Sequence, residues 1–322
     1  MMAYIKRKQD FRTILSAEVV SFNVALDSVY DDTGTITLLG TEVTYGCEGS
    51  FLIMGDHIWL IQTLTPGDHI TDVTVVSILA AFSRKLIWDG TAVPTCVRIE
   101  QAFNTQYKSV GDTAYRMPYM EIRNMASTDT QLAPDVEDGL WSLKSFIRKT
   151  WRLANIRVSF SFDTQNLYVD IETVQKPSRT IIFGDGHHQL QSQAFSRDSV
   201  AKITTLQEGR VMDWYLSSDG QITNTPPTNR AEGTWQVMPL MEADNAPAVV
   251  ADTFSQNTNS HKIEWYSDQP YQLRDSVRIL LDGKVLTSYV SYIGISSADS
   301  RYYYKSGELA TTLTERIKGG TL

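Results

Sequence analysis

The sequence predicts a mainly β fold with α+β insertions, in which two small barrel-like β domains flank a mixed α/β middle. Three observations carry the prediction. Short apolar runs separated by turn signals recur every ~8–12 residues toward both ends of the chain. Tyr outnumbers the other aromatics, 15 against 11 Phe and 7 Trp, and Thr and Val are frequent, a balance that favours strands. Only in the middle, at residues 94–107 and 139–154, does the apolar period lengthen to three and four, the helical spacing.

Taken in order, residues 17–25 (AEVVSFNVA) read as a strand, residues 32–34 (DTG) as a turn and ITLLG as a second strand. The run FLIM-GD-HIWLIQTL follows, with Gly55 first of two residues between apolar runs, which suits a type II′ hairpin. Pro66-Gly67-Asp68 turns the chain again and VTVVSIL returns. Pro94 suits a first helical turn, and Cys96, Ile99, Phe103 and Tyr107 then mark one face of a helix. The stretch 114–124 reads as a strand broken at Pro118, so it belongs at a sheet edge. After a polar linker, 126–137, the spacing predicts the clearest helix, capped by Asp138, striped by Leu140, Leu143, Ile147 and Trp151, and ended at Asn155.

The stretch IRVSFSF-DTQN-LYVDIETV alternates with period two on both sides of a polar loop and reads as a hairpin. RTIIFGDGHHQ is a strand running into a turn. SVAKITTLQ and RVMDWYLSSDGQITNT supply further strands, with Asp219-Gly220 as a hairpin signal. Residues 225–233 form an exposed loop, 246–257 a short helix, and HKIEWYS at 261–267 returns to strand. Two apolar runs then flank Asp282-Gly283. The division that follows is 1–92 as a first β barrel-like domain, 93–200 as an α+β middle, 201–260 as a β-hairpin and helix segment, and 261–322 as a second β barrel-like domain.

Composition excludes several functions. A net charge of −8 argues against tight binding to a phosphate backbone, which needs clustered Lys and Arg. The basic residues Lys144, Arg148, Lys149 and Arg152 read as a solvated helix face with cations toward its C-terminus, in preference to a nucleic-acid patch. Cys47 and Cys96 are too few for a disulfide framework and read as free thiols, with Cys96 a buried helix-face residue and not a nucleophile. No apolar run is long enough for a signal peptide or a membrane span, so synthesis in the cytoplasm is expected.

Chemistry-bearing motifs are sparse. The G-x-S-x-G elbow, the phosphate-binding loop and the dinucleotide glycine pattern are absent. His187-His188 reads as a polar turn, because adjacent strand residues face opposite ways and a turn-borne pair rarely chelates alone. Among the acidic pairs (Asp31-Asp32, Glu137-Asp138, Asp170 with Glu172), Asp170 and Glu172 share a strand face about 6–7 Å apart, a separation near that of a retaining glycosidase pair. Nothing else marks a sugar cleft. No catalytic, cofactor-binding or metal residue is assigned, and no cofactor is expected. Tyr302-Tyr303-Tyr304 alternates across a sheet, either with its odd member facing away from a core or as an interface run.

The ending carries more. The D-G-K turn at 282–284, Ser288 in the next strand, the Tyr304-x-x-Gly307 step and LTERIK at 313–318 resemble the closing segment of bacteriophage tail-hub and baseplate-hub proteins, the tail-associated family of siphophages related in fold to the central hub of contractile tails. GDHIWLI at 55–61, the Pro-Gly-Asp turn and FSRKLIW at 82–88 are similar to that family's first domain, and HKIEW at 261–265 to the strand leading into its last. The resemblance covers most of the chain in order of elements.

It implies a homotrimer in which each chain gives two barrel-like domains to a ring of six similar units, able to dock on a sixfold tail tube or distal tail protein ring. The hairpins at 50–65 and 277–290 would then be equivalent parts of the two barrels, although their side-chain identity is low. It further implies a structural role in host adsorption and DNA passage, with the tape-measure protein and receptor-binding proteins as neighbours, DNA present only in transit, and the virion tail tip as location. Three copies at −8 each lead us to expect an acidic lumen. Family members often carry a C-terminal hydrolase or fibre; this chain ends at Leu322, which favours a plain structural hub. The alternative functions are a cell-wall-degrading tail enzyme acting on peptidoglycan or glycan, and a β-rich carbohydrate-binding module.

Overall fold

The computed structural model describes residues 1–27, 32–40, 45–126, 131–174, 179–195, 200–217, 221–231, 234–241, 245–255 and 261–307. The Asp219-Gly220 signal, Asp31 and the LTERIK segment lie outside the described residues.

Six strands build the front of the chain: β1 (Met2–Lys6), β2 (Thr13–Asp27), β3 (Thr33–Leu39), β4 (Phe51–Met54), β5 (His57–Pro66) and β6 (Ile70–Ser77). They close into a barrel in the order β1-β4-β5-β6-β3-β2, with β2 returning to β1 and every pairing antiparallel. Closure removes both sheet edges. Alternation fills the interior with Ile36, Leu38, Trp59, Ile61, Val73 and Val75. β4 is buried on both faces. Leu52 and Met54 point into the barrel, while Phe51 and Ile53 point into the core of the middle region. At the β4–β5 turn Gly55 takes φ 58° and Asp56 does not turn positive, as a type II′ hairpin requires.

The middle begins after a 3₁₀ turn, Ile78–Phe82. It holds β7 (Lys85–Ile87), α1 (Thr95–Phe103), β8 (Met120–Asn124), β9 (Leu140–Ser142), α2 (Leu143–Ala154), β10 (Ile156–Phe162) and β11 (Leu167–Thr173). α1 continues as a π turn over Asn104–Lys108, which keeps Tyr107 on the buried face with Cys96, Ile99 and Phe103. Phe82, Phe103, Tyr107 and Phe160 pack ring against ring at the centre. β10 and β11 form the expected hairpin, and β8 joins its edge in parallel.

The second helix departs from its sequence reading. Leu140–Ser142 pairs with Lys85–Ile87 as β9, so the helix begins at Leu143, and its cap is Ser142, whose hydroxyl accepts the Ser145 N–H. Asp138 stands before the strand at φ 52°. A strand partner outweighs a start signal two residues upstream. The buried stripe is Leu143, Phe146, Ile147 and Ala154, with Leu140 exposed. Asn155 ends the helix in the left-handed region at φ 50°, as its sequence position indicates. The segment before Pro118 likewise holds a 3₁₀ turn, Thr113–Tyr115, and no strand; only 120–124 pairs.

The rear sheet contains β12 (Arg179–Ile182) and β13 (His188–Phe195) as well as the later β18 (His261–Ser267), β19 (Ser276–Leu281), β20 (Lys284–Ser296) and β21 (Tyr302–Ser306). The sequence reading assigned 179–195 to the middle; in the structure these residues pair with β19 and β18. Between β13 and β18 sits a small sheet in the order β16-β15-β14-β17, made of β14 (Val200–Gln207), β15 (Arg210–Leu216), β16 (Ile222–Thr223) and β17 (Thr234–Pro239). It is covered on one face by α3 (Ala246–Ser255) through Val250 and Phe254.

The rear core is aromatic. Tyr304 is fully buried and stacks on Trp265 at 4.5 Å, with Tyr271 edge-on to both. Tyr302 packs beside Tyr304, and Tyr303 lies on the opposite face against Tyr266 and Tyr292. Tyr304 is therefore the core member of the run, with Tyr302 and Tyr303 half-buried on opposite faces of the sheet. Asp282 and Gly283 both take positive φ, 49° and 74°, the type I′ signature of Asp-Gly.

Candidate assembly interface

The front barrel and rear sheet are one hydrogen-bonded surface. β2 pairs with β20 antiparallel, from Asn23 opposite Ser296 to Asp27 opposite Tyr292. The contact extends one step further, where the Ser297 N–H donates to the Phe22 carbonyl at 3.0 Å and the Ser297 hydroxyl accepts the Phe22 N–H at 3.2 Å. Both strands are long enough, at 15 and 13 residues, to complete their own modules and still reach each other. Gly34 lets β3 close tightly on this part of β2, since a Cβ there would stand 2.7 Å from the Asn23 carbonyl oxygen.

The two modules share a strand order. Counting strands along the chain within each, the front reads first-fourth-fifth-sixth-third-second, and the rear, β12-β19-β20-β21-β18-β13, reads the same. The bulges repeat as well. In the second strands, Val20 is the extra residue of β2 against β3, and Gln191 is the extra residue of β13 against β18. In the fifth strands, Gln62 is the extra residue of β5 against β6, and Ser291 that of β20 against β21. A bulge inserts one residue at a defined register and bends its strand. Two of them at matching places in two modules align the modules residue by residue: Val20 with Gln191, and Gln62 with Ser291. The hairpins β4–β5 and β19–β20 are the fourth and fifth strands of each, so they occupy equivalent positions.

One strand differs. β1 runs antiparallel to β4, whereas β12 runs parallel to β19 and does not pair with β13. The front module is a closed ring; the rear is open between its first and second strands.

Side-chain ties hold the middle to both modules. The Arg157 guanidinium donates to Glu172 on β11 and to Asp275 ahead of β19, each at 2.8 Å. Arg274 lies over the rings of Trp151 on α2 and Tyr289 on β20. Lys6 on β1 donates to the Thr164 carbonyl at 2.6 Å. At the rim of the front barrel Asp32 accepts the Asp27 N–H at 2.9 Å. Burial pushes its carboxyl up to about 6, against the lowering effect of that bond, the Ser77 hydroxyl and the more distant Arg148.

The residues flagged for chemistry are elsewhere and engaged. Asp170 takes both oxygens to the Arg123 guanidinium, at 2.6 and 2.8 Å, and a further bond from Ser161. Glu172 is held by Arg157. His187 is an exposed turn residue on Asp268, as its reading predicts, but His188 is buried, with Nδ1 2.8 Å from Asp185 and Nε2 2.7 Å from the Tyr271 hydroxyl. That bond to His188 holds the Asp185 carboxyl down at about 2, with two backbone N–H groups adding to it against the opposing effect of burial. Among the described residues no group of three or more His, Cys, Asp or Glu is placed to hold a metal ion. Both cysteines are buried. A surface depression of about 230 Å³ lined by Gln189, Tyr266, Asp299, Ser300 and Arg301 is smaller than the ~300–1,000 Å³ of a usual small-molecule site. No helix among the described residues is long and apolar enough to cross a membrane.

No family model matches the chain, and no curated protein matches its sequence. Solved structures do. A prophage tail protein from Listeria monocytogenes superposes over 100% of this chain and 98% of its own, at 9% identity and a TM-score of 0.56. A 43 kDa prophage tail protein from Shewanella oneidensis matches over 95% of this chain and 98% of its own, at 11% identity and 0.52. An Escherichia coli type VI secretion component, described as similar in structure to two tail proteins of bacteriophage T4, matches over 96% of this chain and 79% of its own, at 9% identity and 0.52. The fold is thus the one found in these phage tail and secretion proteins, as the sequence resemblance led us to expect, and it spans the chain.

Proposed function

We propose that this chain is a structural hub of a bacteriophage tail tip or baseplate, carried in the virion. Three copies form a ring in which six barrel-like modules alternate, so that a threefold tip presents a near-sixfold surface to the tail tube or distal tail ring. The division into a front module, an α/β middle and a rear module belongs to this proposal. So do adjacent tape-measure and receptor-binding proteins, and DNA passage through the centre.

One observation carries the reading: the same six-strand order, with matching bulges in the second and fifth strands, occurs twice in one chain and is joined by the β2–β20 pairing. A chain needs such a repeat to place two alike units side by side. The whole-length likeness to tail proteins supports the role, and the ion-paired state of Asp170 and Glu172 supports assembly over hydrolysis. Light scattering tests it. A solution mass three times the 36.2 kDa of one chain agrees with the proposal, and a strictly monomeric chain at high concentration counts against it.

A further inference from the structure

We propose that the outer face of the rear module carries a shallow saccharide site, shaped for one neutral sugar ring, between Gln189, Tyr266 and the loop Asp299-Ser300-Arg301. The site is built within a single chain, so it stands apart from the trimeric hub reading.

The sheet register builds one wall. Gln189 on β13 pairs with Tyr266 on β18, Tyr266 with Tyr303 on β21, and Tyr303 with Gly294 on β20. These four positions form one row across four strands, on the face opposite the buried Tyr304. The Tyr266 and Tyr303 rings lie 5.2 Å apart. A Cβ on Gly294 would stand 3.3 Å from the Tyr292 and Tyr303 rings, so those rings take the space a side chain would fill. The Tyr303 hydroxyl is committed to Glu264. The half-buried Tyr266 has no such partner among the described residues and borders a depression.

The loop after β20 builds the other wall, and it is pinned. The Ser296 hydroxyl accepts the Ala298 N–H at 3.2 Å, the Ser296 carbonyl accepts the Asp299 N–H at 3.3 Å, and Ser297 is tied to Phe22 on β2. Arg301 reaches back over the sheet. Its guanidinium makes two long bonds, each 3.5 Å, to the Gln189 side-chain oxygen and the Gly186 carbonyl. The Asp299 carboxylate and the Ser300 hydroxyl border the same depression, and among the described residues neither has a side-chain partner. One acid and one base thus stand beside each other without forming an ion pair.

That mixture selects the ligand. A weakly engaged guanidinium by itself would suit a phosphate or a carboxylate, but the Asp299 carboxylate beside it repels an anion. A neutral polyhydroxyl ligand uses both groups at once: Asp299 accepts hydroxyls, Arg301 donates to them, and the Gln189 amide does both. A pyranose also presents a C–H face, which packs on an aromatic ring. Tyrosine offers such a surface with little side-chain freedom to lose. The depression holds about 230 Å³. At ~30 Å³ per water, that is room for one sugar ring in place of its solvent.

Saturation-transfer NMR on the full chain tests the site, with methyl glucoside, methyl galactoside and N-acetylglucosamine as probes at tens of millimolar. Transfer to at least one of them is expected, with the millimolar affinity of a small, shallow contact. Asp299→Asn and Arg301→Gln should each weaken that binding about five- to twentyfold and leave thermal unfolding unchanged. Inorganic phosphate added as a competitor should not reduce the transfer. No transfer to any of the three sugars overturns the inference, and so does binding that either variant leaves intact. Phosphate that abolishes the transfer makes the depression an anion site and overturns it as well.

Discussion

Gly307 lies against His261 so closely that a Cβ on it would stand 2.2 Å from the His261 carbonyl oxygen and 2.9 Å from the imidazole ring. The glycine also takes φ 72°, and its own carbonyl accepts the Ser291 hydroxyl at 2.7 Å. The end of β21, the start of β18 and the bulge of β20 thus meet at one backbone position. Gly307→Ala should cost about 3 kcal/mol or more, combining left-handed strain with a backbone clash. Gly283→Ala, with φ 74° and nothing within 4 Å, should cost only about 1 kcal/mol. Urea unfolding compares them, and equal losses would show that close approach is not what demands glycine at 307.

Arg157 joins the middle to the rear module through two carboxylates on different elements. Its side chain is 17% exposed, so the pair is only partly screened. Arg157→Ala should lower stability by about 1–3 kcal/mol, because Glu172 and Asp275 lose their shared cation. Arg157→Lys should rescue little, since one ammonium cannot reproduce a planar fork reaching both partners. Full rescue by lysine would reduce the tie to simple charge.

Asp32 sets a pH dependence. The folded chain holds its proton to about pH 6, whereas the ordinary value is 3.8, so the folded state binds more protons across that window. The stability contributed here is complete below about pH 4 and is lost as pH rises through 6. Asp32→Asn keeps an oxygen to accept the Asp27 N–H and should flatten this part of the profile, leaving the variant more stable than the parent near pH 8. Thermal unfolding from pH 4 to 8 measures it, and an asparagine variant less stable near pH 8 would contradict the assignment.

Asp170 and Glu172 share a strand face as their spacing predicts, but each faces a guanidinium. Zymography on bacterial cell walls should show no lysis by the native chain, and Asp170→Asn should leave the oligomeric mass unchanged while weakening the β8–β11 edge. Cell-wall lysis lost on changing either carboxylate would restore the hydrolase reading.

Much of the fold was legible because it depends on local chemistry. Gly55 and Asp282-Gly283 announce their hairpins, and Asn155 ends its helix in the conformation expected of it. What escaped the sequence was long-range. Nothing local in LWS says that it will pair with KLI some 54 residues earlier, so the helix start was placed too far upstream. RTII and HQLQSQAF sit beside the middle in sequence and belong to the rear sheet in space. The repeat itself leaves almost no trace in side chains, because what the modules share is strand order and the places of two bulged residues. Val20, Gln62, Gln191 and Ser291 have no common chemistry, and only the pairing registers expose their equivalence.

Electron microscopy of the purified full-length chain, averaged without imposed symmetry, tests the central claim most directly. The account predicts a ring of three copies in which six modules alternate around a central opening. A monomer, or a ring in which front modules meet only front modules, would contradict it.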